Sequence, residues 1–344
     1  MVPPRTAQPP AGPGPRRSRL LDLLRRHGWN PTSFQILDDR YRLWFSGDAV
    51  VAYVDTGRAF VAAGSPVCAA QALGPVTARF FAAAARRGRA VAFFGVHERF
   101  LAHTGLPAIP IGEVCWWQPR AWPGILAAVP SLREQLRRAR AKGLRVEPAG
   151  DRLDSLRPAL GALRSRWLAG RGMAPMSFLA KPASLDVGPA EGRSILVAWR
   201  GQRPVGYACL SPVFARRGVL IQEWVRGADA PNGTVELLLD AAFRSAAREG
   251  LEYATLGLSP LSGTDSRWLR AARAIGRPWF DFGGLCAFKA KFRPEGRELV
   301  ALAGAGASRT ALLVESLRAF AGGSLARFGA ETLLRPLSPR PRPA

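Results

Sequence analysis

The chain has 344 residues, room for two ordinary domains, and 48% of them are hydrophobic, which excludes a disordered polymer. It carries 49 Lys and Arg against 25 Asp and Glu, and a formal charge of +24 favours a polyanionic partner, either RNA or an anionic membrane surface. Three histidines and four scattered cysteines without a CxxC pair exclude a His-rich metal site, a zinc framework and a disulfide scaffold, and they fit a reducing, cytosolic setting.

Residues 1–18 are rich in Pro, Arg and Gly and read as a disordered basic tail. Residues 20–26 read as a short amphipathic helix. Residues 42–45, 49–55 and 59–63 read as successive strands, with turns at Ser46-Gly47-Asp48 and Thr56-Gly57. The longest uncharged run, residues 59–78, contains Gly64, Pro66, Gly74 and Pro75, so it reads as strand, turn and helix start, not as a membrane span. No signal peptide is visible. Residues 77–87 read as a helix and 90–96 as a strand.

Pro119, Pro123 and Pro130 punctuate a linker. In the helix that starts at Ser131, Leu132, Leu136 and Ala139 form one stripe and Arg133, Arg137 and Arg140 another. A second amphipathic helix covers 155–169, with Leu156, Leu160, Leu163 and Trp167 in phase. Strands follow at 195–199, 205–210 and 219–225, then a helix at 234–248 and a strand at 253–258. Helix, three antiparallel strands, helix, strand thus occurs in both halves, the element order of a GNAT-type acyltransferase domain. The expected fold is α+β (mixed α/β) with tandem GNAT-like domains. Residues 19–118 form the first domain, 119–300 the catalytic one, and 301–344 an amphipathic helix with a basic, Pro-rich tail.

Gly284 to Pro294 holds Lys289 and Lys291, two of only four lysines in the chain. Read as a strand, it sets both lysines on one face and Phe288, Ala290 and Phe292 on the other. Either this is an edge strand with a solvated basic face, or the pair points into a site. In the tail, residues 311–328 carry Leu312, Leu313, Leu317, Phe320, Leu325 and Phe328 among Arg309, Arg318 and Arg327. That helix either lies on an anionic surface or packs on the domain.

A CoA-dependent GNAT enzyme cradles pyrophosphate with an Arg/Gln-x-x-Gly-x-Gly/Ala loop at a helix N-terminus. Arg203-Pro204-Val205-Gly206-Tyr207-Ala208 matches in letters but falls on a hairpin. The loop at the expected place, Gly227 to Gly233, carries Asp229 where the pyrophosphate would sit, which argues against a standard CoA site. The helix start at Gly233-Thr234 could receive an RNA phosphate. Glu223 and Arg226 end one strand that flanks the central cleft, and Ser259 ends the other. Glu223 could bind a cationic amino acid and Arg226 a phosphate or carboxylate, or the two pair with each other.

Seven segments occur in order: Gly112-Glu113, Leu132-Arg133, Trp167-Leu168, Glu223-Trp224-Val225-Arg226, Pro231-Asn232-Gly233-Thr234, Leu256-Gly257-Leu258-Ser259-Pro260-Leu261 and Phe288-Lys289-Ala290-Lys291-Phe292-Arg293-Pro294. Over about residues 20–300 the chain resembles the cytosolic catalytic region of bacterial phosphatidylglycerol lysyltransferases, the multiple peptide resistance factor family. The resemblance implies a tandem GNAT fold and transfer of an aminoacyl group, lysyl or another small or cationic residue, from aminoacyl-tRNA to a lipid hydroxyl such as that of phosphatidylglycerol. It sets Glu223 and Arg226 on the family's Asp-x-x-Arg pair, with Glu for Asp, and Lys289 and Lys291 on its Phe-Lys-x-Lys-Phe motif. The chain departs from the family at Gly64-Ser65-Pro66, where Gly-Asp-Pro is common, and it shows no multi-span flippase segment.

An aminoacyl ester is already activated, so the expected reaction needs no cofactor and no metal beyond aminoacyl-tRNA as co-substrate. Lys289, Lys291 and Arg226 are the candidate catalytic residues, neutralising the oxyanion and the nearby phosphate. Glu223, Asp229, Asn232, Gly233, Thr234 and Ser259 are the candidate substrate-binding set. The leaving ribose oxygen or a lipid phosphate could take the proton. Arg133, Arg137 and Arg140 either contact tRNA phosphates or form a solvated basic face. The expected location is cytoplasmic, peripheral on the inner face of the membrane. A CoA-dependent N-acyltransferase and a non-catalytic RNA- or membrane-binding protein stand as alternatives.

Overall fold

Tight turns and short apolar runs build the first half, α1 (Pro15–His27), β1 (Arg42–Phe45), β2 (Val50–Asp55), β3 (Ala59–Ala63), α2 (Leu73–Ala85), β4 (Ala90–His97), α3 (Glu98–Thr104) and β5 (Ala108–Trp117). Gly47 and Gly57, with φ of 57° and 88°, supply the left-handed turn residues between β1, β2 and β3. The second half runs α4 (Trp122–Ala128), α5 (Pro130–Ala141), β6 (Leu144–Pro148), α6 (Leu153–Ala169), β7 (Ser194–Arg200), β8 (Arg203–Val213), β9 (Gly218–Arg226), α7 (Thr234–Arg248), β10 (Tyr253–Pro260), α8 (Phe282–Ala290) and β11 (Gly296–Ala305). Then come α9 (Arg309–Phe320) and α10 (Leu325–Leu333). The structure, a computed structural model, describes residues 14–263, 270, 273–274 and 280–335.

The order α1-β1-β2-β3-α2-β4 recurs as α6-β7-β8-β9-α7-β10, the tandem GNAT-like order expected. In each copy the strands flanking the central helix pair in parallel, β3 with β4 and β9 with β10. All strands join one 11-stranded sheet, β1-β2-β3-β4-β11-β5-β10-β9-β8-β7-β6. The weld is β11, which runs antiparallel to β4 on one side and to β5 on the other, while β5 pairs antiparallel with β10. The sheet therefore crosses position 118 without a break.

Helices cover both faces. Leu237, Leu238, Ala242 and Phe243 of α7 share a buried cluster with Leu132 and Leu136 of α5 and Trp122 of α4. On the opposite face, Leu160 and Leu163 of α6 pack on Tyr207, Cys209 and Val225. Leu20, Leu21, Leu23 and Leu24 of α1 share a cluster with Leu312 of α9.

Four expectations change. Residues 15–18 belong to α1, because Pro15 suits a helical first turn, and residues 1–13 lie outside the described residues. The Pro-punctuated linker holds α4, with Pro123 in its first turn and Trp122 and Leu126 buried. The tail helix is two helices, α9 and α10, parted at Gly322 and Gly323, whose φ values of 67° and 105° suit no continuing helix. Packing on the domain holds for α9, whose Phe320 packs on Phe94 and Phe178, while Leu333 and Leu334 at the end of α10 are 73% and 87% exposed. Finally, the segment around Lys289 and Lys291 is helical. Asp281 caps α8 by accepting from the Gly284 N–H at 2.8 Å, and Phe288 and Phe292 meet at i,i+4 with ring centroids 5.2 Å apart. No helix among the described residues is long and apolar enough to cross a membrane.

Candidate active site

Strands β9 and β10 pair only over Tyr253↔Gly218 to Thr255↔Leu220. Beyond that point β9 stays with β8 and β10 stays with β5, which it pairs from Ala254↔Trp117 to Pro260↔Gly112 across a bulge between Thr255 and Leu258. The two strands part, and a wedge opens over residues 221–226 and 256–260. Each edge of the wedge is irregular. Gly257 has a φ of 74° at the bulge of β10, and β9 bulges opposite β8 between Gln222 and Val225, where Glu223 has a φ of 54°.

The bulge sets Gln222 and Glu223 together on the α6 face. Gln222 donates to Ser211 Oγ at 2.9 Å, and Glu223 accepts from Tyr207 Oη at 2.5 Å and the Ala183 N–H at 2.6 Å, with Arg164 Nη1 at 3.7 Å. Burial raises the Glu223 carboxyl above its usual range, against the pull of the Tyr207 hydrogen bond and Arg164. Val225 packs into the α6-side cluster, so Trp224 and Arg226 face the α7 side.

Helix α8 lies over the wedge on that α7 side. Phe288 stacks on Trp224 with centroids 5.3 Å apart. Lys289 is 1% exposed, and its Nζ donates to the carbonyls of Gly257 at 2.7 Å and Leu258 at 3.0 Å, the backbone freed where β10 leaves β9. Burial lowers its pKa to about 8. Close by, Glu113 of β5 is held by Arg297 Nη1 at 2.5 Å and approached by Cys286 Sγ at 4.0 Å.

The lysines do not share a face, which corrects the strand reading. Two residues apart on a helix, they point about 200° apart in azimuth. Lys291 Nζ leaves the wedge for Glu236 Oε1, at 3.0 Å in the first turn of α7, and for Gln135 of α5. Gln135 Nε2 donates to the same Glu236 oxygen at 3.0 Å.

A model of one protein family, described as phosphatidylglycerol lysyltransferase, C-terminal, matches residues 21–301. The chain belongs to this family. Membership makes it an acyltransferase of lipid aminoacylation in general. Among solved structures it is similar to the C-terminal domain (DUF2156) assigned to a lysylphosphatidylglycerol synthetase of Agrobacterium fabrum, with a TM-score of 0.77, 23% identity, and 90% of this chain and 98% of that one covered. It is also similar to L-PGS from Bacillus licheniformis (TM-score 0.72, 20% identity, 95% and 100% covered) and to a conserved protein of unknown function from Bacteroides thetaiotaomicron (TM-score 0.54, 12% identity, 83% and 91% covered). No curated protein matches the sequence.

The other expected site residues of this lysyltransferase-family chain fall at several places. Arg226 is half-buried and has no side-chain partner among the described residues, so Glu223 and Arg226 do not pair. Asp229 pairs on the surface with Arg203 at 2.6 Å. Asn232 precedes Gly233, whose φ of 95° starts α7 and whose Cβ, if present, would meet Ala139 Cβ at 2.9 Å. Thr234 is buried and donates to the Pro231 carbonyl at 2.6 Å. Ser259 Oγ is buried on β10 with no partner among the described residues.

The arginine stripe of α5 is largely engaged within the chain. Arg133 donates to the carbonyls of Leu126, at 2.9 Å, and Ala127 at the end of α4. Arg137 pairs with Glu134 at 2.7 Å, and Arg140 pairs with the buried Asp240 at 2.6 Å. Tyr207, Arg164, Gln135 and Glu236 were missed from the sequence. Only Tyr207 falls in a quoted segment, the Arg203–Ala208 match read as a hairpin, and each is distinguished by contacts between elements distant in sequence.

Proposed function

We propose that the protein transfers an aminoacyl group from aminoacyl-tRNA to a hydroxyl of an anionic membrane lipid such as phosphatidylglycerol, working peripherally on the inner face of the membrane. The observation that carries this reading is the buried Lys289 ammonium at the open edge of β10, in a chain of the lysyltransferase family. Acyl transfer from an ester requires alignment and a cation for the developing oxyanion. A lysine with a pKa of about 8 also holds a proton it can give to the leaving ribose oxygen near neutral pH. Arg226, on the same face with no side-chain partner among the described residues, suits a substrate phosphate. Lys291 acts one step back, fixing α8 to the start of α7 through Glu236. Glu223 has the charge to hold an aminoacyl ammonium, and in that role the ammonium must displace Ala183 or Arg164. At the loop where a pyrophosphate would sit in a CoA enzyme, the Asp229–Arg203 pair counts against CoA.

Incubation with a mixed pool of charged tRNAs and phosphatidylglycerol vesicles, followed by mass analysis of the lipids, tests the reading. A new aminoacylated lipid that requires charged tRNA is expected. Acetyl-CoA turnover without tRNA overturns it.

A further inference from the structure

The stretch that joins α6 to β7, residues 170–193, crosses the α6 face of the sheet as a strap with two short 3-10 turns, Phe178–Ala180 and Pro189–Glu191. Connections longer than about 12–15 residues are uncommon in compact domains and are commonly functional. The tail fixes the first arm of the strap. Arg335 donates to the Leu168 carbonyl at 3.1 Å, Thr332 Oγ1 accepts from the Ala174 N–H at 3.3 Å, and the Ser177 N–H donates to the Phe320 carbonyl at 2.7 Å. Phe178, 1% exposed, is an anchor, and its φ of 53° turns the chain there. Leu185 and Val187, both buried, anchor the other arm. Between these anchors, residues 179–184 bury no side chain.

Polar contacts hold this middle segment. Lys181 Nζ lies 3.9 Å from Asp38, and the Ser184 carbonyl accepts from Arg193 at 2.8 Å. Ala183 closes on Glu223: its N–H donates to the carboxylate at 2.6 Å, and its carbonyl accepts from Arg164 Nη1 at 2.9 Å. The Glu223 side chain is 5% exposed, and the donors bonded to it, Tyr207 Oη and the Ala183 N–H, are both neutral. Arg164 stands 3.7 Å away and donates to Ala183 instead, while Arg193 acts on the carboxylate only through space. A buried carboxylate gains more from an ammonium in contact than from a neutral N–H. The strap therefore covers Glu223 with a bond that a cationic ligand can replace.

We propose that residues 179–184 form a displaceable plug that selects donors with a free amino group. The Ala183 N–H holds the place at Glu223 that the aminoacyl ammonium takes, and the segment lifts between its anchors when the ammonium arrives. An N-blocked aminoacyl group brings no charge to replace the Ala183 bond and leaves the plug shut. The assignment rests on the aminoacyl-donor reading above, to which it adds a gate and a rule of selection.

Hydrogen exchange of the full chain, measured without lipid, tests it with three saturating tRNA pools: charged, charged and then N-acetylated, and deacylated. The Ala183 amide is expected to exchange about tenfold faster with the charged pool, the loss of one hydrogen bond to a charged group, and to be unchanged by the other two. Ala183→Pro removes the donor and sets a ring carbon against an oxygen that lies 2.6 Å from the nitrogen, so the plug must stand off Glu223. This variant is expected to lower the KM for the charged pool in the transfer assay by about tenfold, with binding of deacylated tRNA unchanged. An exchange rate with the charged pool no higher than with either other pool overturns the proposal. So does a folded Ala183→Pro protein with an equal or higher KM. Where Ala183→Pro fails to fold, the exchange measurement on the wild type decides alone. Opening by the charged pool alone, in a protein that transfers nothing to lipid, sinks the lipid-acceptor reading instead and leaves the plug standing.

Discussion

Replacing Lys289 with Met removes an ammonium group that is 1% exposed and donates to two backbone carbonyls. Burial lowers this lysine from 10.5 to about 8. Between those two values the unfolded chain holds a proton that the folded chain has released, so stability rises with pH across the window. Below the folded value the buried charge destabilises in full; above it, the cost fades. Integrated from pH 7 to pH 9.5, the relation gives the wild type about 2 kcal/mol of stability that the Met variant does not gain. Urea denaturation of both proteins at both pH values isolates Lys289, because every other titrating group is common to the pair. Parallel pH dependence in the two proteins would refute the buried ammonium. In the transfer assay the same variant should lose about 10²–10³ in rate with its fold intact, the cost of one oxyanion donor. Wild-type turnover would remove Lys289 from the chemistry.

Other perturbations separate positioning from chemistry. Lys291→Met loses the Glu236 pair at the start of α7 and should cost about 1–3 kcal/mol in denaturation, with no counterpart to the alkaline gain tied to Lys289. Glu223 is raised above 4.5 by burial, so the folded state keeps a proton that the unfolded chain releases, and wild-type stability falls as pH climbs from 4.5. Glu223→Gln cannot ionise and should gain on the wild type across that climb; a constant difference between their melting curves would contradict it. Arg140→Ala removes one of two arginines on the buried Asp240, which keeps Arg244 and the Trp122 N–H at 2.9 Å, and should cost about 1 kcal/mol, whereas the 70% exposed Arg137 should lose little stability on change to Gln and lower the salt slope of tRNA binding by about 1. Vesicle co-sedimentation should show binding to phosphatidylglycerol that fades at 1 M salt, where the Debye length is about 3 Å, and that weakens further when Leu333 and Leu334 are changed to Ser. Equal binding to neutral vesicles would rule out the electrostatic attraction.

The doubled element order was legible because each element carries a local signal. Leu238, Leu239, Ala242 and Ala246 repeat at helical spacing in α7, and turn glycines separate the strands. The return of β11 between β4 and β5 was not legible. Leu299↔Glu113 and Val300↔Gly112 join residues far apart in the chain, and no local pattern encodes that pairing. The same limit hid Arg164 and Tyr207, which meet Glu223 only in the fold.

At the wedge the difficulty was different. Phe288-Lys289-Ala290-Lys291-Phe292 alternates like a strand, and its two phenylalanines also stand at i,i+4, so both periods fit. Gly283 and Gly284 weigh against a helix, and the Asp281 cap outweighs them by satisfying the Gly284 N–H. That choice decides the chemistry. On a strand the lysines would present two like charges to one ligand. On α8 they part, and the first enters the gap where β10 leaves β9, meeting the carbonyls of Gly257 and Leu258 at the bulge of β10. The second ties α8 to α7 and holds the first in place. The motif thus divides into one buried ammonium and one strut, and the separate effects expected of Lys289→Met and Lys291→Met follow from that division.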